Sequence, residues 1–192
     1  GSLIKNPGGG LAPTGGYIVG RQDVIDRVSC RLTAPGIGRE VGSYAGSYQP
    51  FYQGLFLAPH VVAQAVRTSV LAAAVCEALS MRSTPAPDDR RTDIIQALEL
   101  GTPERLIAFC QGIQMASPID SMALPEPWDM PGYQHQVIMA AGTFVSGASI
   151  ELSADAPMRE PYTAFLQGGL TYSHGKLALT RTFEYMRKKG LL

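Results

Sequence analysis

Hydrophobic positions change their period several times along the chain, and each change predicts an element. Residues 14–20, entered through glycines, read as a short strand. Val24, Ile25, Val28 and Leu32 recur at helical spacing and predict a helix over residues 23–32. The longest periodic segment, residues 60–81, opens at Pro59. Nearly every position there is Ala, Val, Leu or Cys, with a narrow polar stripe at His60, Gln64 and Arg67. That pattern predicts a helix buried on most of its circumference. Arg67 and Glu77 interrupt it and no interfacial belt flanks it, so it reads as a core helix joining two domains and not as a membrane span.

Residues 82–91, with two prolines and a charge cluster, read as a hinge. A strand is expected over 92–100. Thr102-Pro103-Glu104 then carries three helix-start signals: a capping hydroxyl, proline at the first helical position and an acid in the first turn. Leu106, Phe109, Cys110 and Ile113 give that helix its buried face. Residues 117–135 form a long loop with four prolines and the only tryptophan, and loops of that length are usually functional or covering. Strand-like runs follow at 136–141, 148–153 and 162–166. A closing helix at 171–189 puts Tyr172, Leu179, Phe183 and Met186 on one face. Residues 82–192 therefore read as one α/β unit with helices on a small sheet.

Composition narrows the function class. Sixteen basic and sixteen acidic residues balance, which argues against a nucleic-acid or membrane-surface partner. Cys30, Cys76 and Cys110 are widely spaced and odd in number, a pattern of reduced cytoplasmic thiols with no metal-type Cys/His spacing. No basic region followed by a long apolar run opens the chain, so no secretory signal is expected. Residues 41–57 are rich in glycine and aromatics (Tyr44, Tyr48, Phe51, Tyr52, Phe56), expected to pack or to line a cleft.

The chemistry concentrates at the start. Ser2-Leu3-Ile4-Lys5 precedes Asn6-Pro7-Gly8-Gly9-Gly10, so one lysine stands at a tight turn with small neighbours. A lysine amine used as a nucleophile needs such fixed, partly desolvated surroundings; a surface lysine on a glycine turn is the plain alternative. The S-x-x-K spacing also occurs in serine acyl-enzymes, where the serine opens a helix. Pro7 and three glycines forbid a helix here. In pyridoxal-phosphate enzymes the same spacing joins the lysine to the cofactor and brings the hydroxyl three residues earlier to its phosphate. Gly36-Ile37-Gly38 followed by Gly42 mimics a dinucleotide fingerprint but lacks the preceding strand. His60, His135 and His174 are scattered: His60 is expected to decorate the long helix, and the other two to be solvated.

The runs SLIKNPGGG (2–10), PTGGY (13–17), RLTAPGIGREVG (31–42), QGLFLAPH (53–60), PEPWDMPGY (125–133) and YTAFLQGGLTY (162–172) resemble the methionine gamma-lyase-like family, also called aluminium-resistance proteins. The resemblance implies a fold-type-I pyridoxal-phosphate enzyme related to cystathionine beta-lyases, with this chain as its C-terminal portion. Residues 1–58 would be the tail of the cofactor domain, 59–81 the linking helix and 82–192 the small α/β domain. It implies a lyase that breaks a carbon–sulfur bond of an amino-acid substrate in a cytoplasmic homo-oligomer, a dimer or tetramer. Lys5 would take the Schiff-base role and Ser2 a phosphate contact. Arg159 is the candidate for the substrate carboxylate, and Arg39 a second. The partners of the pyridine nitrogen and ring would lie before Lys5, outside these residues, so the chain alone is expected to bind the cofactor poorly. A non-catalytic binding or assembly module of the same fold is the rival reading.

Overall fold

The computed structural model describes residues 1–192. Its centre is a mixed α/β unit built on one five-stranded antiparallel sheet. The strands are β1 (Ser83–Thr84), β2 (Gln96–Glu99), β3 (Val137–Ala140), β4 (Ser153–Pro157) and β5 (Thr163–Gln167), in the order β1-β2-β5-β4-β3. Alternation sorts the side chains to two faces. Gln96, Leu98, Ala154, Ala156, Ala164 and Leu166 are buried on one face, while Asp155 stands on the other, opposite both Met139 and Phe165.

Two helices cover the buried face. The first (Pro103–Met115) starts as its sequence predicts: the Thr102 hydroxyl accepts the Arg105 N–H at 3.3 Å, and Leu106, Phe109, Cys110 and Ile113 are fully buried. The last (Tyr172–Lys188) is capped in the same way, Thr171 accepting the His174 N–H at 3.2 Å. Its Leu179 and Met186 complete a core shared with Leu98, Ile138 and Leu166. Burying each such side chain stabilises by roughly 1.5–3 kcal/mol.

The other two helices precede the sheet. In chain order, α1 is Gln22–Leu32, α2 Gln49–Ala78, and the covering helices just described are α3 and α4. The structure corrects α2 in two ways. It begins at Gln49, with Pro50 in its first turn, and it runs through Pro59 instead of starting there. It is also buried along one stripe only, Gly54, Ala58, Val61, Ala65, Thr68, Ala72 and Cys76, whose spacing of three and four follows a single face. By length and apolarity α2 would suffice to cross a membrane; here that stripe lies against β1, β2, β5, α4 and the turn at residues 6–8. The aromatic residues at its start do not pack into the core: Tyr52 is 73% and Phe56 84% exposed, while Tyr44, Tyr48 and Phe51 cluster among themselves and with Tyr52 line a shallow cleft. No residue of α1 is buried either.

Three strand expectations also change. Residues 14–20 contribute only an isolated bridge, Gly16 to Ser2. The expected hinge contains β1, which pairs with Leu98 and Ala97 and stops at Pro85, because proline has no N–H to give the ladder. The run at 148–153 is a buried turn, and the strand begins where it was expected to end, at Ser153. An apolar run looks alike in a strand and in a buried loop, so periodicity could not separate them.

One contact ties α2 to the start of the chain. Residues Asn6–Gly8 form a single 3-10 turn, followed by Gly9 with φ +55°. A Cβ added at Gly54 would stand 2.1 Å from the Gly8 carbonyl oxygen, and one at Gly9 would stand 2.3 Å from the Gly54 oxygen. The two backbones touch because neither carries a side chain there. Gly54→Ala should cost about 1–3 kcal/mol, the usual range for overpacking, and should loosen residues 2–10. Chemical denaturation and amide hydrogen exchange of the full-length protein check this; unchanged stability with unchanged exchange at residues 6–10 would refute the contact.

Candidate active site

Lys5 sits at the top of a short hairpin. Ser2 bridges to Gly16, with Leu3 N–H donating to Gly15 O and Tyr17 N–H to Gly1 O, both at 2.9 Å. Proline and glycines then fold the chain sharply back, and the turn wedges between α2 and the segment 168–170, where a Cβ on Gly10 would meet a Leu170 methyl at 2.4 Å. Lys5 itself is exposed while Gly8 and Gly9 beneath it are buried.

Its amine is not free of partners. Lys5 Nζ donates to Ser149 Oγ at 2.9 Å, a contact spanning 144 residues of sequence. Ser149 is 8% exposed, and the turn carrying it is tied to the 168–170 segment by Gly169 N–H to Ile150 O at 2.9 Å and Leu170 N–H to Glu151 O at 3.2 Å. None of the three ion pairs of the chain involves Lys5. Four residues beyond Glu151, on β4, is Asp155. Burial pushes its carboxyl above the usual carboxylate range, and the nearby positive charge of Lys5 opposes that rise. Gln167 on β5 donates to its Oδ2 at 3.4 Å.

Asp155 also borders a cavity of 510 Å³ on the open face of the sheet, with Met139 and Phe165 beside it and Tyr133 and His135 contributed by the long proline-rich loop. Arg159 lines the same cavity. Lys5, Ser149, Asp155 and Arg159 thus follow one another from the hairpin to the cavity. Arg39 lies elsewhere: its guanidinium pairs with Asp26 at 3.4 Å beside a separate cavity that includes Tyr17 and Tyr48. Ser2 is half-buried in the hairpin, three residues before the amine. His60 is exposed on α2 as expected. His174, expected to be solvated, instead has its Nε2 2.8 Å from the Ala116 oxygen, linking α4 to the end of α3.

Sequence reasoning singled out Lys5 and Arg159, which the structure sets near Asp155, and passed over Ser149, Glu151 and Asp155. Ser149 and Glu151 fall in a run that reads as a strand and Asp155 just after it, so none carries a local signal; only folding brings Ser149 to residue 5. The buried thiols take no part. Burial pushes Cys76 up to about 12, and raises Cys110 further with help from Asp155 beside it, which keeps both protonated and unreactive.

Comparison with known proteins places this arrangement. The methionine gamma-lyase family matches residues 1–187. The uncharacterized protein YnbB of Bacillus subtilis is 56% identical over 192 residues, all of this chain and 46% of that protein. A carbon–sulfur lyase involved in aluminum resistance from Clostridium novyi is 52% identical, with a TM-score of 0.87, over 95% of this chain and 43% of that one. A proposed cystathionine beta-lyase involved in aluminum resistance from Listeria monocytogenes is 52% identical, with a TM-score of 0.89, over 96% of this chain and 46% of that one. The chain spans about half the length of the relatives it matches.

The electrostatic link across the site is measurable. In Lys5→Ala the cation that favours ionised Asp155 is gone, so the Asp155 carboxyl should titrate at higher pH than in the wild type, its rise then set by burial alone. Carboxyl-carbon NMR titration reads the midpoint, and an unchanged value would show that the two groups do not interact.

Proposed function

Because this chain belongs to the methionine gamma-lyase family, we propose that it is the C-terminal portion of a fold-type-I pyridoxal-phosphate enzyme that cleaves a carbon–sulfur bond of a sulfur-containing amino acid. The names of its structural relatives support the reaction class. The observation that carries the assignment to these residues is Lys5: an exposed amine on a rigid glycine turn, held by one hydrogen bond to Ser149. On this reading residues 1–58 close the cofactor domain, residues 59–81 link, and residues 82–192 form the small domain. The protein would act on a small amino acid in the cytoplasm as a homo-oligomer, without nucleic-acid or membrane partners.

The residues present suit the cofactor on chemical grounds. An amine with a single, replaceable hydrogen bond and a hydroxyl three residues earlier are the donors that an aldehyde and a phosphate require. When bound, pyridoxal phosphate supplies an electron sink for charge developing at the substrate α-carbon. This chain's own residues supply part of the remainder. Lys5 Nζ would hold the cofactor, and as a free amine it would take the α-proton as general base. Ser2 Oγ would donate to the phosphate. Ser149 Oγ keeps the free amine over the site, since a base must stay within hydrogen-bond reach of the proton it removes. Arg159, in the cavity beside Asp155, pairs with the substrate carboxylate in a charge-assisted fork. Arg39, already paired with Asp26, is the second candidate for that carboxylate. The apolar wall of Met139 and Phe165 shelters the thiol as the carbon–sulfur bond breaks.

Borohydride reduction of the full-length protein loaded with pyridoxal phosphate, followed by peptide mapping, should place the label on Lys5. Lys5→Ala should lose the label and at least about 100-fold in kcat, the lower range for removing a general base. A cofactor-loaded sample with no label on Lys5 would sink the assignment and favour a non-catalytic assembly role. Arg159→Ala should raise KM by about 10-fold or more, as expected for a lost hydrogen bond to a charged group. An unchanged KM would move the carboxylate site to another residue.

A further inference from the structure

Glu151 has a role that the reaction does not explain. Its side chain is 2% exposed, and it belongs to none of the chain's three ion pairs. A buried carboxylate without a cation is retained only when hydrogen bonds replace its water. Here the donors are two consecutive backbone amides: Phe144 N–H at 2.8 Å to Oε2 and Val145 N–H at 3.1 Å to Oε1. The carboxylate therefore closes residues 144–151 into a ring, gripping its first two residues from its last. Inside the ring, Ala148 N–H donates to Val145 O at 3.0 Å and Ser149 N–H to Gly147 O at 3.0 Å. Only Ser149 of this ring reaches Lys5, while Gly147 lies against Ile4, next to the lysine.

We propose that Glu151 is a positioning residue for Lys5: by clamping the 144–151 turn it holds the Ser149 hydroxyl where the lysine amine meets it. The role rests on Lys5 being the working amine of the proposed reaction, but its geometry can be tested without that reaction. Two features separate a clamp from mere packing. The charge is spent on backbone donors of the same turn, not on a neighbouring element. The turn it closes also carries the single side chain that hydrogen-bonds the amine, Ser149. Glu151→Gln keeps the size and one acceptor but turns an N–H donor toward a backbone N–H, so one of the two grips is lost. Ser149 then drifts from Lys5, and the amine is no longer held.

The test is competitive acetylation of the cofactor-free full-length protein by N-hydroxysuccinimidyl acetate, with mass spectrometry giving the rate at each lysine. Lys176, Lys188 and Lys189 on and beside α4 serve as internal references. In Glu151→Gln and in Ser149→Ala, Lys5 should be acetylated about fivefold faster, the factor that one ordinary hydrogen bond corresponds to. The double variant should be no faster than either single one, because both changes remove the same interaction. Glu151→Asp keeps the charge but is too short to reach both amides, and it should fall between wild type and Glu151→Gln; it serves if Glu151→Gln does not fold. Wild-type rates at Lys5 in the Glu151 variants would overturn the proposal. So would an equal rise at all reference lysines, or a double variant whose effect is the product of the singles. Borohydride labelling tests the lyase reading independently, so failure of one leaves the other standing.

Discussion

Close backbone contact at Gly8, Gly9 and Gly54 is the constraint on which the site depends. The hairpin carrying Lys5 has few long-range polar anchors of its own, and its rigidity comes from meeting α2 where neither chain bears a Cβ. A Cβ on Gly9 would also meet the Ala58 amide nitrogen at 3.2 Å and one on Gly54 the Leu11 Cβ at 3.4 Å, so turn and helix fit only backbone against backbone. The amine therefore stands on a closely packed base.

From that base the site is assembled by groups that face one another across the sheet unit. Ser149 comes from a buried turn, Asp155 from β4, and Arg159 from the bend before β5. The antiparallel register sets Asp155 between Met139 and Phe165, which gives the cavity an acidic point on an apolar floor. Lys5 acts on Asp155: burial disfavours the carboxylate and the nearby cation restores part of what burial takes. A site built this way links a hydrogen-bonded amine at one end to a guanidinium at the other through a single half-buried acid.

Several apolar side chains stay open to solvent. Tyr52 and Phe56 on α2 are exposed, and α1 buries none of its residues fully. Relatives of about twice this length match the chain over nearly all its residues. Amphipathic pattern predicted α1 correctly while saying nothing of its partner, because the 3.6-residue period reports only that some apolar surface will be met.

How much could be read before folding follows the range of each interaction. Thr102-Pro103-Glu104 and Thr171 specify helix starts within three or four residues, so α3 and α4 were legible in the sequence, as was the face of Leu106, Phe109 and Ile113. Lys5 was legible because proline, glycines and Ser2 lie beside it in the chain, and the family likeness rests on those same residues. Pro59 misled, since proline marks a helix start only when nothing upstream holds the preceding turns, and here Gly54 packs them against the hairpin. Ser149, Glu151 and Asp155 were invisible, being isolated polar side chains in or just after an apolar run, with no motif to mark what they meet. The sequence by itself determined the capped starts of α3 and α4 and the tight turn that carries Lys5, all of which depend on neighbours within a turn. Only the tertiary structure decided what the amine touches, because a hydrogen bond spanning 144 residues exists only after the sheet has brought its two ends together.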